Sequence, residues 1–64
     1  MKFKDKLMKV REILFISQKE LAKKIGVSFA TINRLEKGHY EPNLITKAKF
    51  EMFCKANNIQ IGEE

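Results

Sequence analysis

Ala30, Thr31, Asn33, Arg34 and Lys37 fall within two helical turns of one another. If Phe29–Lys37 is a helix, Ile32 and Leu35 share an inward face at i and i+3. The other five then lie on the outer side or its edges. Thr and Asn side chains both donate and accept, and a guanidinium offers a planar fork of donors. That set suits recognition by hydrogen bonding and charge. Bond-making chemistry has little to work with. There is one histidine, His39, and one cysteine, Cys54. His39 has no Cys or acidic partner at metal spacing and no candidate nucleophile near it in sequence. Cys54 reads as a small buried hydrophobe. With no paired carboxylates in an apolar setting and no phosphate loop, the chain reads as a non-enzyme without metal or cofactor.

The outer face must be held by something, and the stretch Gln18–Lys37 supplies it. Its first half puts Leu21, Ala22 and Ile25 on one helical face, and its second half Ile32 and Leu35. Gly26 can end the first helix in a left-handed turn. Val27 plugs the corner, and Ser28 caps the second helix. Ala22 is small enough for the two helices to cross closely. Upstream, Ser17 and Glu20 have the spacing of a capping box, with Ile16 and Leu21 as a hydrophobic staple.

These residues resemble the DNA-binding helix-turn-helix of the Cro/repressor type, the XRE family. The resemblance rests on SQ-KELA-KKIGVS at Ser17–Ser28, on ATINRLEKG at Ala30–Gly38, and on Arg11 and Pro42. It covers about Leu7 to Pro42 and weakens toward Asn58. It implies an all-α fold: a compact bundle of four or five short helices around a central helix-turn-helix, similar to lambda repressor. It also implies that the second helix of the motif enters the major groove. Phe29, Ala30, Thr31, Asn33 and Arg34 then become candidate base-edge residues, and Ser28, at the cap, a further DNA-binding candidate. Arg34 suits the O6/N7 pair of guanine. It suits phosphate equally, which would give affinity without sequence reading. Phe29 either packs on a thymine methyl or tucks over its own turn. Gln18, at the first turn of its helix, is the family's phosphate contact, in keeping with the free amides and dipole there. Lys37, Gly38, His39 and Tyr40 form a loop that follows the phosphate backbone, and Glu41 limits its approach. Arg11 pairs with Glu36 in the family and would lock the first helix to the reading helix; otherwise both are ordinary surface charges.

Flanking helices complete the bundle. Phe3, Leu7, Val10 and Leu14 form a stripe over Phe3–Leu14, which Met8 and Ile13 broaden. Phe15 stands where the family often has glycine, so the exit from this helix departs from the pattern. The arm Met1–Lys4 is a further candidate DNA contact. The last helix starts at Asn43 or Thr46 and ends near Asn57, with Asn58 in the left-handed position. The segment Pro42–Asn58 is a few residues longer than in common family members. Phe50, Phe53 and Cys54 match core positions. Ile45, Ala48, Met52 and Ala56 form a second stripe, nearly opposite, and with Ile59 and Ile61 make a candidate dimer face. The tail from Ile59 to Glu64 either pairs as a short strand with a dimer mate or frays.

The 64 residues carry 13 Lys+Arg against 8 Asp+Glu, a net charge of +5. One domain over residues 1–64 is the ceiling. The charge points to a polyanion partner, with an ordinary basic surface as the alternative, and the motif strengthens the polyanion reading. A single Cys rules out an internal disulfide and fits a reducing cytoplasm. No apolar run reaches membrane length, and the N-terminus lacks a signal-peptide pattern. The reading is a cytoplasmic, sequence-specific double-stranded-DNA-binding regulator, a homodimeric repressor without small-molecule ligand. Its rivals are an antitoxin that binds a toxin and autoregulates, and a protein-interaction module on the same fold.

Overall fold

A computed structural model describes residues 2–61. The chain runs α1 (Phe3–Leu14), α2 (Gln18–Ile25), α3 (Phe29–Lys37) and α4 (Leu44–Ala56). α3 lies against both α1 and α2, and α4 closes against α2. Leu7, Val10, Leu21, Ala22, Ile25, Ile32, Leu35, Phe50 and Cys54 form one buried cluster to which all four helices contribute. Phe3 and Phe50 meet edge to face with centroids 5.0 Å apart, which ties the start of α1 to α4. Among the described residues, no helix is long and apolar enough to cross a membrane.

Local chemistry sets the helix starts. The Ser17 hydroxyl accepts from the Glu20 amide, and the Glu20 carboxylate accepts from the Ser17 amide, closing the expected capping box. The Ser28 hydroxyl accepts from the Thr31 amide at 3.1 Å. Asn43, not Thr46, caps α4, and its Oδ1 accepts from the Thr46 amide at 2.8 Å. Thr46 is then three residues into the helix and turns inward, which buries it.

Helix ends reverse the chain through left-handed residues. At Gly26 (φ 94°) the amides of Gly26 and Val27 both donate to the Ala22 carbonyl. Asn58 (φ 55°) does the same for α4, with the Ile59 amide on the Cys54 carbonyl at 2.8 Å. Phe15 holds this position after α1, with φ 55°, and the Ile16 amide reaches the Arg11 carbonyl. The aromatic therefore keeps the reversal that glycine gives elsewhere. The residue is 93% exposed, because the turn points it away from the core.

Two expectations about packing change. Met8 and Ile13 do not widen the buried stripe of α1; both are exposed. At ~100° per residue they fall on opposite flanks of the Leu7–Val10–Leu14 line, where no helix covers them. Ile59 and Ile61 do not join Ile45, Met52 and Ala56 on one face. The turn at Asn58 folds them back against the core, while Ile45 and Met52 stay exposed. Among the described residues the tail forms no strand, and its last three positions, like Met1 of the arm, lie outside them.

Candidate nucleic-acid interface

The outer surface of α3 follows from its inner one. Ile32 and Leu35 are buried, so Ala30, Arg34 and Lys37 stand exposed on the far side, with Phe29 half-exposed at the first turn. Arg34 makes no ion pair or side-chain hydrogen bond with another described residue. Its donors face water. Thr31 is half-buried on one edge, where its hydroxyl lies 2.8 Å from that of Ser28. Those two hydroxyls are engaged with each other and with the cap.

On the other edge a chain of polar groups runs inward. Arg11 donates from Nε to Glu36 Oε2 at 2.8 Å and from Nη2 to Oε1 at 2.9 Å. This two-pronged pair is the most directional contact between a guanidinium and a carboxylate. A weaker third bond runs from Nη1 to the Ile16 carbonyl at 3.4 Å. The Glu36 side chain is only 6% exposed, against 28% for Arg11. The hydrogen bond to Glu36 raises the Arg11 pKa most; burial opposes it, and the charge of Glu36 adds to it. Glu36 Oε1 also accepts from Gln18 Nε2 at 2.8 Å, and Gln18 Oε1 accepts from Asn33 Nδ2 at 3.1 Å. α1, α2 and α3 are thus joined through one carboxylate and two amides.

The loop after α3 is basic on one side. Lys2, Lys4, Lys6 and Lys47 line an open cleft of about 360 Å³ with Gly38, Tyr40 and Glu41. Gly38 adopts φ 76° and lies against the Lys4 stem, where an added Cβ would come 3.1 Å from Lys4 Cδ. Lys37 and His39 are exposed beside it. Glu41 is the acid in an otherwise positive rim.

The helix-turn-helix family model matches residues 7–51. A relative in Methanocaldococcus jannaschii, named as an uncharacterized HTH-type transcriptional regulator, is 44% identical over 63 residues. The match spans 95% of this chain and 96% of that protein. One in Methanothermobacter thermautotrophicus, also named as an uncharacterized HTH-type transcriptional regulator, is 51% identical over 35 residues, 55% of this chain and 51% of its own. No solved structure matches the chain. The chain belongs to the XRE-type helix-turn-helix family. It is a DNA-binding helix-turn-helix protein of the transcription-regulation class.

Within this helix-turn-helix the expected residues separate into three groups. Ala30, Arg34 and Lys37 share the open face of α3, and Phe29 borders it. Ser28 caps the helix, and the amide and hydroxyl of Thr31 both engage its hydroxyl. Gln18 sits at the start of α2 as expected, but its amide is engaged with Glu36 and Asn33 rather than held free for an anion. One contact escaped the sequence altogether. Lys49 of α4 donates to the Gly26 carbonyl at 2.9 Å and ties the motif's turn to the last helix. Nothing in the spacing of Lys49 sets it apart from the other lysines. Only the packing of α4 on α2 brings it there.

Proposed function

We propose that this protein is a sequence-specific repressor that binds double-stranded DNA as a homodimer. Each copy inserts α3 into the major groove, and the two grooves lie about 34 Å apart on a pseudo-palindromic operator. The observation that carries this reading is Arg34, exposed and without a partner among the described residues on the open face of a helix whose other side is locked by Glu36. A guanidinium so placed has its whole donor fork available for a base edge. Lys37 and His39 follow the phosphate backbone and supply affinity, whereas the Gly38 amide is taken up by the Leu35 carbonyl at 3.0 Å and is not free to join them. Repression follows from occupancy of the operator. The reading includes cytoplasmic location and no catalytic role.

Selection from a random duplex library at near-physiological salt, with Arg34→Ala in parallel, tests it. The expected result is a two-fold symmetric motif, loosened about tenfold at one position per half-site in the variant. Uniform weakening instead assigns Arg34 to phosphate. Absence of enrichment at any salt overturns the regulator reading.

The exposed Leu44, Ile45 and Met52 on α4 support a protein partner for that face. A second copy is the occupant proposed here. A chain that sediments as a monomer at high micromolar concentration shifts the face to another partner, as in the antitoxin reading.

A further inference from the structure

We infer that Asn33 reads adenine, and that Glu36 and Gln18 are positioning residues that fix which atoms its amide presents. The inference rests on the proposal that α3 enters the major groove, and it names what one residue of that helix recognises. The argument starts from Glu36. A carboxylate only accepts hydrogen bonds. The Gln18 atom 2.8 Å from Glu36 Oε1 is therefore the amide nitrogen, whichever way the side chain is first drawn. That leaves Gln18 Oε1 on the opposite side, again as an acceptor. The Asn33 atom 3.1 Å from it must donate, so it is Nδ2. The charge of Glu36 is thus transmitted through two amides to the surface. Arg11 holds that carboxylate in place from behind with two hydrogen bonds.

The consequence is a fixed pattern at the edge of α3. Asn33 Oδ1 has no partner among the described residues, and one N–H of Nδ2 is left after Gln18 has taken the other. Asn33 is half-buried, and its Oδ1, which has no partner, is not sealed from solvent. An acceptor beside a donor on one planar amide matches N6–H and N7 of adenine in the major groove. Cytosine offers only the N4 donor there, and guanine and thymine offer acceptors to the oxygen. A freely rotating asparagine would have no such preference. Gln18, whose neighbours first suggest a phosphate contact, acts here as the orienting group.

The test uses the same library selection on the full chain, with Asn33→Ala, Gln18→Ala and the double variant. Each is first checked for an unchanged unfolding midpoint. The wild-type motif is expected to hold one adenine per half-site, preferred about tenfold over other bases. Asn33→Ala erases that preference and leaves the remaining positions. Gln18→Ala widens adenine to adenine plus guanine, because the freed amide can turn its hydrogens outward. The double variant matches Asn33→Ala at that position, an epistasis that a merely structural Gln18 would not produce. A motif that Asn33→Ala leaves intact overturns the inference while the regulator reading stands. Adenine preference unchanged in Gln18→Ala overturns the positioning role. An empty selection removes both readings. Where Gln18→Ala does not fold, side-chain amide exchange in the wild-type protein decides its role. One Asn33 Nδ2 proton protected and the other fast supports the orientation, and two equally fast protons overturn it.

Discussion

Phe15 is the residue at which sequence and conformation pull hardest against each other. A bulky side chain in the left-handed region costs about 1–2 kcal/mol, and this ring recovers nothing by burial at 93% exposure. Phe15→Gly is therefore expected to stabilise the fold by about 1 kcal/mol, seen as a higher urea midpoint at unchanged slope. A lower midpoint would mean that the ring makes a contact that its exposure hides. Cys54 gives a second residue-scale expectation. Burial raises its thiol pKa, with Glu51 adding and Lys6 opposing. The native thiol keeps its proton at pH values where the unfolded chain begins to lose it. That contribution to stability is full below the unfolded pKa and is lost as pH rises through the folded one. Reaction with a disulfide reagent at pH 8 is thus expected to be slow in the native protein and to accelerate sharply in urea. Part of this scale was legible. Cys54 reads as a small hydrophobe from its place beside Phe50 in the stripe, and it is one. The left-handed Phe15 was visible only as a departure from glycine, because nothing in an aromatic's own preferences puts it at positive φ.

Between elements, the Arg11–Glu36 pair decides how firmly α1 holds α3. The two partners are not equivalent. Without Arg11, a carboxylate with 6% exposure keeps only the Gln18 amide; without Glu36, a guanidinium with 28% exposure still reaches water. Arg11→Met is expected to cost about 3 kcal/mol, and Glu36→Met roughly half of that. Equal costs in urea unfolding would refute this asymmetry. Its pH sign is simple. The raised Arg11 value gives a contribution that is present below the unfolded pKa and lost only as pH climbs through the folded one, in strong alkali. Helix positions were readable because caps act over a few residues: Ser17 with Glu20, Ser28, and Asn58 each signal an end by their own chemistry. The link from Gln18 to Asn33 was not. It joins residues on different helices and exists only once α2 and α3 cross, so spacing along the chain has no access to it. The alternative start of α4 at Thr46 fails for a similar reason. Thr and Asn are both good caps in isolation, and the choice falls to Asn43 because Thr46 is buried by the core.

At the scale of the whole molecule the question is what covers α4. Its two stripes were legible from the helical repeat, and the inner one, Phe50 and Cys54, is buried as expected. The outer one is shorter than the sequence suggested, because the turn at Asn58 returns Ile59 and Ile61 to this chain's own core. What remains is Leu44 at 82% exposure, Ile45 at 66% and Met52 at 69%, with Ala48 and Ala56 between and beyond them. Single exposed apolar residues are ordinary, but a contiguous group on one helix favours a partner. If that partner is a second copy, charge placed there separates the copies without unfolding either, since these side chains contribute little to the core. Ile45→Lys with Met52→Lys is expected to leave the urea midpoint within about 0.5 kcal/mol of the parent. Sedimentation then moves from dimer to monomer, and binding to a two-fold operator weakens far more than binding to a single half-site. The added lysines also raise a net charge already at +5, so general attraction to DNA increases while paired occupancy falls. Those opposite movements separate loss of dimerisation from loss of DNA contact. A parent chain that is already monomeric would give that face to another partner, and a double variant that still pairs would show that the two copies meet through some other surface.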